Sequence, residues 1–147
     1  MDVSPAELWQ LIKDQMNRKG AYTDSLGIEI VEVGELKAEG TIVAVSVHAN
    51  PLGTVHGGVL FTLMDAVGGA AGASAGRGCA TVNCTVHFLR AAKPGDRLVC
   101  RAEVTKSGKH IMIVKTSVMD QDDTELAFGV FTYQRTMDIT EYKVSDK

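Results

Sequence analysis

The sequence predicts an α+β fold in which one long helix packs against a mostly antiparallel sheet. Three observations carry the prediction. One continuous apolar, Gly- and Ala-rich run, "VLFTLMDAVGGAAGASA", has the length of a helix rather than a strand. Segments rich in β-branched residues stand on both sides of it, two before and four after. Between the later ones lie "AKPGD", "SGK" and "QDDT", all ordinary turn chemistry. With 147 residues and no internal repeat, low-complexity tract or linker, the chain reads as one domain over 1–147.

The elements follow in order. Residues 4–19 form an amphipathic helix with Ser4 as N-cap, Pro5 at the first helical position and Glu7 completing a capping box. Leu8, Leu11, Ile12 and Met16 recur at helical spacing, and Gly20 ends the helix. "SLGIEIVEVGE" and "AEGTIVAVSVHAN" are strands. In the second, Thr41, Val43, Val45 and Val47 share one face, and Ile42, Ala44, Ser46 and His48 the other. "NPLGT" is a turn, and the long helix runs from Gly57 to about Ala75. The strands "CATVNCTVHFLRA", "RLVCRAEVTKS", "KHIMIVKTSVMD" and "ELAFGVFTYQRT" complete a core over about 26–136, and the polar tail "MDITEYKVSDK" is expected to fray.

Composition narrows the function classes. The net charge of -3 argues against a nucleic-acid partner, which needs a basic excess or stripe. The N-terminus is acidic where a signal peptide is basic, and the one long apolar run is short for a membrane span and interrupted by Asp65. A soluble, cytoplasmic protein without a membrane partner is expected. Cys79, Cys84 and Cys100 are an odd set in a chain that needs no staples. Strand alternation puts Cys79 and His87 on one face and Cys84 on the other, so no shared metal site is expected.

Asp65 is the anomaly. On the long helix, Leu60, Leu63, Met64, Val67 and Ala71 form a stripe suited to the sheet. Gly57, Phe61, Asp65, Gly68 and Gly72 form an adjacent stripe, and its glycines are expected to admit a second backbone, such as a second helix. "VHGGV" opens the helix, so the Gly57 and Gly58 N–H groups are among its unpaired first-turn donors, fit to polarise a carbonyl. Gly57 and Asp65 are separated by about 12 Å of helix, too far to act on one carbonyl within one chain. Two copies packed antiparallel about a twofold axis near Phe61 would bring Gly57 of one beside Asp65 of the other. Two readings of Asp65 stay open on these residues: a structural carboxylate bonded to a neighbouring hydroxyl or cap, and a catalytic one.

"NPLGTVHGG" followed by "LFTLMDAV" resembles the hotdog-fold acyl-CoA thioesterases of the phenylacetate-degradation (PaaI-like) type. Asn50, Gly53, His56, Gly57, Gly58 and Asp65 match that pattern. The resemblance implies a hotdog domain, with the sheet wrapped around the central helix, and hydrolysis of an acyl- or aryl-acyl-CoA to free acid and CoA. It implies that the Gly57 N–H stabilises the oxyanion and that Asn50 orients the carbonyl or the water. His56 would order the Asn50 loop, and Asp65 from the other subunit would act as general base or, less in keeping with the pattern, as nucleophile. Thr81, with Asn83 next on the same face, would hold the water. Gly58 and Phe61 fall at the substrate, and Arg90, Lys93, Lys106 and Lys109 are candidates for the CoA phosphates against a reading as ordinary surface charge. Neither cofactor nor metal is implied, since CoA is part of the substrate; a homodimer is required and a homotetramer is common in the family. A non-catalytic acyl-CoA-binding module, a hotdog hydratase or dehydratase, and a scaffold whose dimer is its function are the competing readings. The acyl preference is open.

Overall fold

The computed structural model describes residues 2–141. Helix α1 (Pro5–Met16) begins as predicted: the Glu7 N–H donates to Ser4 Oγ at 3.2 Å, and the Ser4 N–H to Glu7 Oε2 at 2.8 Å. It stops three residues short of the expected Lys19 because Asn17 leaves the helix to clamp β1. The Asn17 side chain donates to the Ile30 carbonyl and accepts from the Ile30 N–H, both at 2.8 Å. A short helix α2 (Tyr22–Leu26) follows, taking Ser25 and Leu26 from the start of the expected strand "SLGIEIVEVGE", and ends on Gly27 in the left-handed region. Its five residues are too few to show a period.

Strands β1 (Glu29–Gly34) and β2 (Lys37–Val43) pair antiparallel. The second is shorter than the expected run to Asn50. Alternation holds through Ala44, then Ser46–His48 turns as a 3-10 helix, leaving Val45 and Val47 exposed. Buried His48 drives this departure. Its Nδ1 accepts from the Val45 N–H at 3.0 Å, its Nε2 meets the Leu26 carbonyl at 2.8 Å, and its own carbonyl accepts from the His56 N–H. Local side-chain bonding thus outcompetes the ladder.

Helix α3 (Gly57–Ala73) is followed by β3 (Arg77–Phe88), β4 (Arg97–Ser107), β5 (Ile111–Met119) and β6 (Glu125–Asp138). The six strands form one antiparallel sheet in the order β1-β2-β4-β5-β6-β3, and α3 packs against all six. Leu60, Leu63, Met64, Val67 and Ala71 are buried on it, as their stripe predicts. Each large side chain among them stabilises by about 1.5–3 kcal/mol through burial.

Two expectations fail at the C-terminal end and in β3. The tail is not frayed where it begins: β6 runs to Asp138, and Ile139, in a 3-10 turn (Ile139–Glu141), is buried against the core. The rest of the tail, 142–147, lies outside the described residues. In β3, Thr81 pairs with Tyr133 but Asn83 pairs with Thr132, so Val82 is an extra residue in a bulge. The bulge reverses the alternation beyond it. Asn83 therefore faces away from the side Thr81 faces, and Cys84 joins Cys79 on the core side. His87 lies on the outer face, stacked on Phe128 at 4.9 Å.

His48 organises the whole connection into α3. Replacing it, His48→Ala, is expected to lower the unfolding free energy by about 1–3 kcal/mol. Val47→Ala, at a position 81% exposed, should stay within about 0.5 kcal/mol of the parent. Urea titration of both variants checks the contrast.

Candidate active site

The carboxylate of Asp65 meets two hydroxyls from adjacent strands. Thr81 donates to Oδ1 at 2.7 Å, and Tyr133 lies 3.1 Å from the same oxygen and 3.0 Å from the Asp65 carbonyl. Both donors converge on one oxygen, so Oδ2 has no protein donor among the described residues. The Thr81–Tyr133 register of β3 and β6 sets the spacing of the two. Burial, and secondarily the neighbouring Asp65 carboxylate, push the Tyr133 phenol far above its ordinary range, so it stays a donor.

The glycine stripe serves these same contacts rather than a second backbone. A Cβ at Gly68 would lie 2.5 Å from the Tyr133 hydroxyl oxygen, and one at Gly72 would lie 2.7 Å from Cys79 Sγ. Side chains of β6 and β3 within the same chain therefore fill the space that the sequence assigns to another helix. Phe61, on the same stripe, packs on Phe131 at 5.8 Å between ring centroids, and Phe131 on Tyr133 at 6.0 Å.

At the other end of the helix, His56 is the N-cap. Its Nδ1 accepts from the Gly58 N–H at 2.8 Å, and its carbonyl accepts from the Val59 N–H. The Gly57 N–H has no acceptor among the described residues. The Phe88 ring covers this position, 3.4 Å from where a Cβ at Gly57 would sit. His56 was expected to order the Asn50 loop, but its ring bonds to Gly58 instead. Asn50 organises its own loop: its Oδ1 accepts from the Leu52 and Thr54 N–H groups, and its Nδ2 donates to Thr54 Oγ1 at 2.9 Å.

The structure brings Asp65, Thr81 and Phe61 together, and separately groups His56, Gly57 and Gly58. It does not bring the two groups together in one chain, since Gly57 and Asp65 are two turns of α3 apart. The basic candidates divide likewise. Arg90 donates to the Glu125 carbonyl and Lys93 sits in the turn held by Asp96, both at one end of the sheet. Lys106 and Lys109 flank the β4–β5 hairpin at the opposite end, and all four are exposed. Asn83, turned outward by the bulge, stands apart from both groups.

Sequence reasoning missed Tyr133 and Phe88. Tyr133 had a signal: alternation along "FGVFTYQRT" places Phe131 and Tyr133 on one face. Phe88 had none. A cavity of about 630 Å³ opens beside Asp65 between α1, α2, α3 and the start of β3. A larger concavity of about 1110 Å³ lies on the outer sheet face, where Arg101 pairs with Glu39 at 3.2 Å, far from both groups. Among the described residues no three His, Cys, Asp or Glu side chains gather as metal ligands, and no helix is long and apolar enough to cross a membrane.

A model of the thioesterase superfamily matches residues 52–127, from the loop before α3 into β6. The chain belongs to the thioesterase superfamily. Acyl-coenzyme A thioesterase PaaI of Escherichia coli (strain K12) is 30% identical over 112 residues, spanning 76% of this chain and 80% of that one. The solved structure of E. coli PaaI, from the phenylacetic acid degradation operon, superposes with a TM-score of 0.86 at 27% identity, covering 92% of this chain and 98% of that one. The structure of smu.793 from Streptococcus mutans UA159, bound to acetyl CoA, has a TM-score of 0.73 at 27% identity over 76% of this chain and 90% of that one. The sheet wrapped on its helix is thus a hotdog fold. The superfamily match takes in Gly57, Asp65 and Thr81 but stops short of Asn50 on one side and Tyr133 on the other.

The tie between Gly68 and Tyr133 is testable. Gly68→Ala should cost about 1–3 kcal/mol by forcing the Tyr133 hydroxyl off Asp65. Adding Tyr133→Phe should recover part of that loss, because the phenol is what the new methyl strikes. A double-mutant cycle by chemical denaturation reads the coupling.

Proposed function

We propose that this member of the thioesterase superfamily hydrolyses an acyl-CoA thioester at sites shared between two subunits, with Asp65 of one and the Gly57 N–H of the other. The observation that carries the reading is the half-tied carboxylate: Oδ1 is held by Thr81 and Tyr133, while Oδ2 has no donor among the described residues and Asp65 lines an open cavity where a water can reach it. Oδ2 accepts the proton of that water as its oxygen attacks the thioester carbon. The carbonyl electrons move onto oxygen, where the Gly57 N–H of the partner donates to the oxyanion. Collapse re-forms the carbonyl, breaks the C–S bond and expels CoA thiolate, which takes up a proton. Water, one carboxylate and one N–H suffice for these steps without a cofactor. Thr81 serves as an anchor for Asp65 in this scheme, a closer partnership than the water-holding role the resemblance implies.

Relatives support the reading. The E. coli relative is named an acyl-coenzyme A thioesterase. A hypothetical thioesterase from Streptococcus pneumoniae TIGR4, 26% identical, has been solved with coenzyme A. Structures of that protein also exist with an Asp and a Thr each changed to alanine, at the sixteen-residue spacing of Asp65 and Thr81.

The two-chain arrangement also draws the basic residues together. A twofold arrangement that sets Gly57 of one chain beside Asp65 of the other also sets one chain's Arg90 and Lys93 end against the other chain's Lys106 and Lys109 end, so each site would have cations from both chains for CoA phosphates.

Asp65→Asn should lower turnover by about 10²–10⁴-fold. Gly57→Pro removes the N–H and adds a ring whose Cβ would lie 3.4 Å from Phe88, at a first helical position where proline is tolerated, and should cost about 10²–10³-fold. His56 already has the extended backbone that a following proline requires. Mixing the two inactive proteins under subunit exchange should restore about a quarter of wild-type thiol release, because half the dimers are mixed and each holds one intact site of two. No recovery despite exchange would place both groups in one chain's site. Tight acyl-CoA binding by the wild type without thiol release would return the protein to the binding-module reading.

A further inference from the structure

We propose that the cavity beside Asp65 receives the acyl arm of the thioester, and that Gly69 on α3 sets the size of arm admitted, favouring acyl groups well beyond acetyl. This rests on the hydrolase reading above. The cavity holds about 630 Å³. A dry cavity of about 150 Å³ already takes a benzene ring, so an arm of several carbons or an aryl group fits.

The α3 wall of this cavity suits an acyl arm better than the nucleotide part of CoA. From Asp65 the α3 wall continues along Ala66, Gly69 and Ala73, faced by Met16 of α1, Cys79 of β3 and Ile139, with polar Gln15, Arg18, Tyr22 and Thr23 on the α1–α2 side. That is about 12 Å of small and apolar wall beyond the carboxylate. Along this wall a polyanion would meet the Asp65 carboxylate, with Arg18 as the one cation among the described residues on the facing side; an uncharged chain meets surface it can cover.

Gly69 is the position whose emptiness the packing does not otherwise require. A mid-helix glycine costs about 1 kcal/mol relative to alanine. At Gly68 and Gly72 the cost has a visible cause, since a Cβ would strike the Tyr133 hydroxyl or Cys79 Sγ. At Gly69 the nearest such atom, Tyr133 Cε1, is 4.0 Å away. A side chain would fit there, and it would occupy the cavity.

The test uses Gly69→Leu and the smaller Gly69→Ala in the full chain, with thiol release measured for acetyl-, hexanoyl-, decanoyl- and phenylacetyl-CoA. Wild type should prefer the larger arms. Gly69→Leu should lower the ratio of kcat/KM for decanoyl- or phenylacetyl-CoA to that for acetyl-CoA by about 10–200-fold, the range a hydrophobic pocket discriminates. Gly69→Ala should move the same ratio less and in the same direction, and it carries the test if the leucine variant fails to fold. An unchanged ratio in the folded variants overturns the assignment, whether the rates for all arms fall together or none falls. Absence of thiol release by wild type from every thioester defeats the hydrolase reading and this inference with it, an outcome distinct from an unchanged ratio.

Discussion

The pairing of Thr81 with Tyr133 across β3 and β6 is the constraint on which the site depends. It places two hydroxyls side by side on the face that receives α3, where the Asp65 Oδ1 meets both. A carboxylate on a helix buried against a sheet is costly unless such donors are present. Because side chains alternate along a strand, a one-residue slip of either strand would turn its hydroxyl away and leave Asp65 without that partner. Core packing, glycine placement and register all serve that one arrangement: Gly68 makes room for the Tyr133 hydroxyl, Gly72 for Cys79, and Phe131 stacks on the Tyr133 ring.

The bulge at Val82 follows Thr81 directly, where a change of parity separates two jobs on one strand. Before it, β3 presents Cys79 and Thr81 to α3; after it, Cys84 and Val86 pack on the core while Asn83 and His87 face outward. Without the extra residue, either Thr81 would leave Asp65 or Cys84 and Val86 would leave the core. Bulges next to active sites re-aim side chains in this way.

Helix α3 separates the two groups on which the proposed hydrolysis rests. The first turn has its Gly58 N–H taken by the His56 ring and its Gly57 N–H left over, and the carboxylate follows two turns later. A rigid helix fixes that separation, which is why the proposed mechanism draws one of the two groups from a second chain. The split of the four basic candidates between the two ends of the sheet follows the same geometry.

Much of this was legible in the residues. The capping box fixes the start of α1, the apolar stripe of α3 identifies the face that meets the sheet, and the spaced Asn50, His-Gly-Gly and Asp65 pattern carries the family resemblance, because each depends on neighbours within a few positions. Tertiary structure alone decided what depends on partners distant in the chain. It made Tyr133 the second donor to Asp65, turned the glycine stripe toward β3 and β6, drew Asn17 out of its helix toward Ile30, and buried His48 where alternation would continue a strand. Local sequence encodes periodicity and caps. Which buried polar atom finds which donor is settled only when strands sixteen to sixty-eight residues away arrive in register.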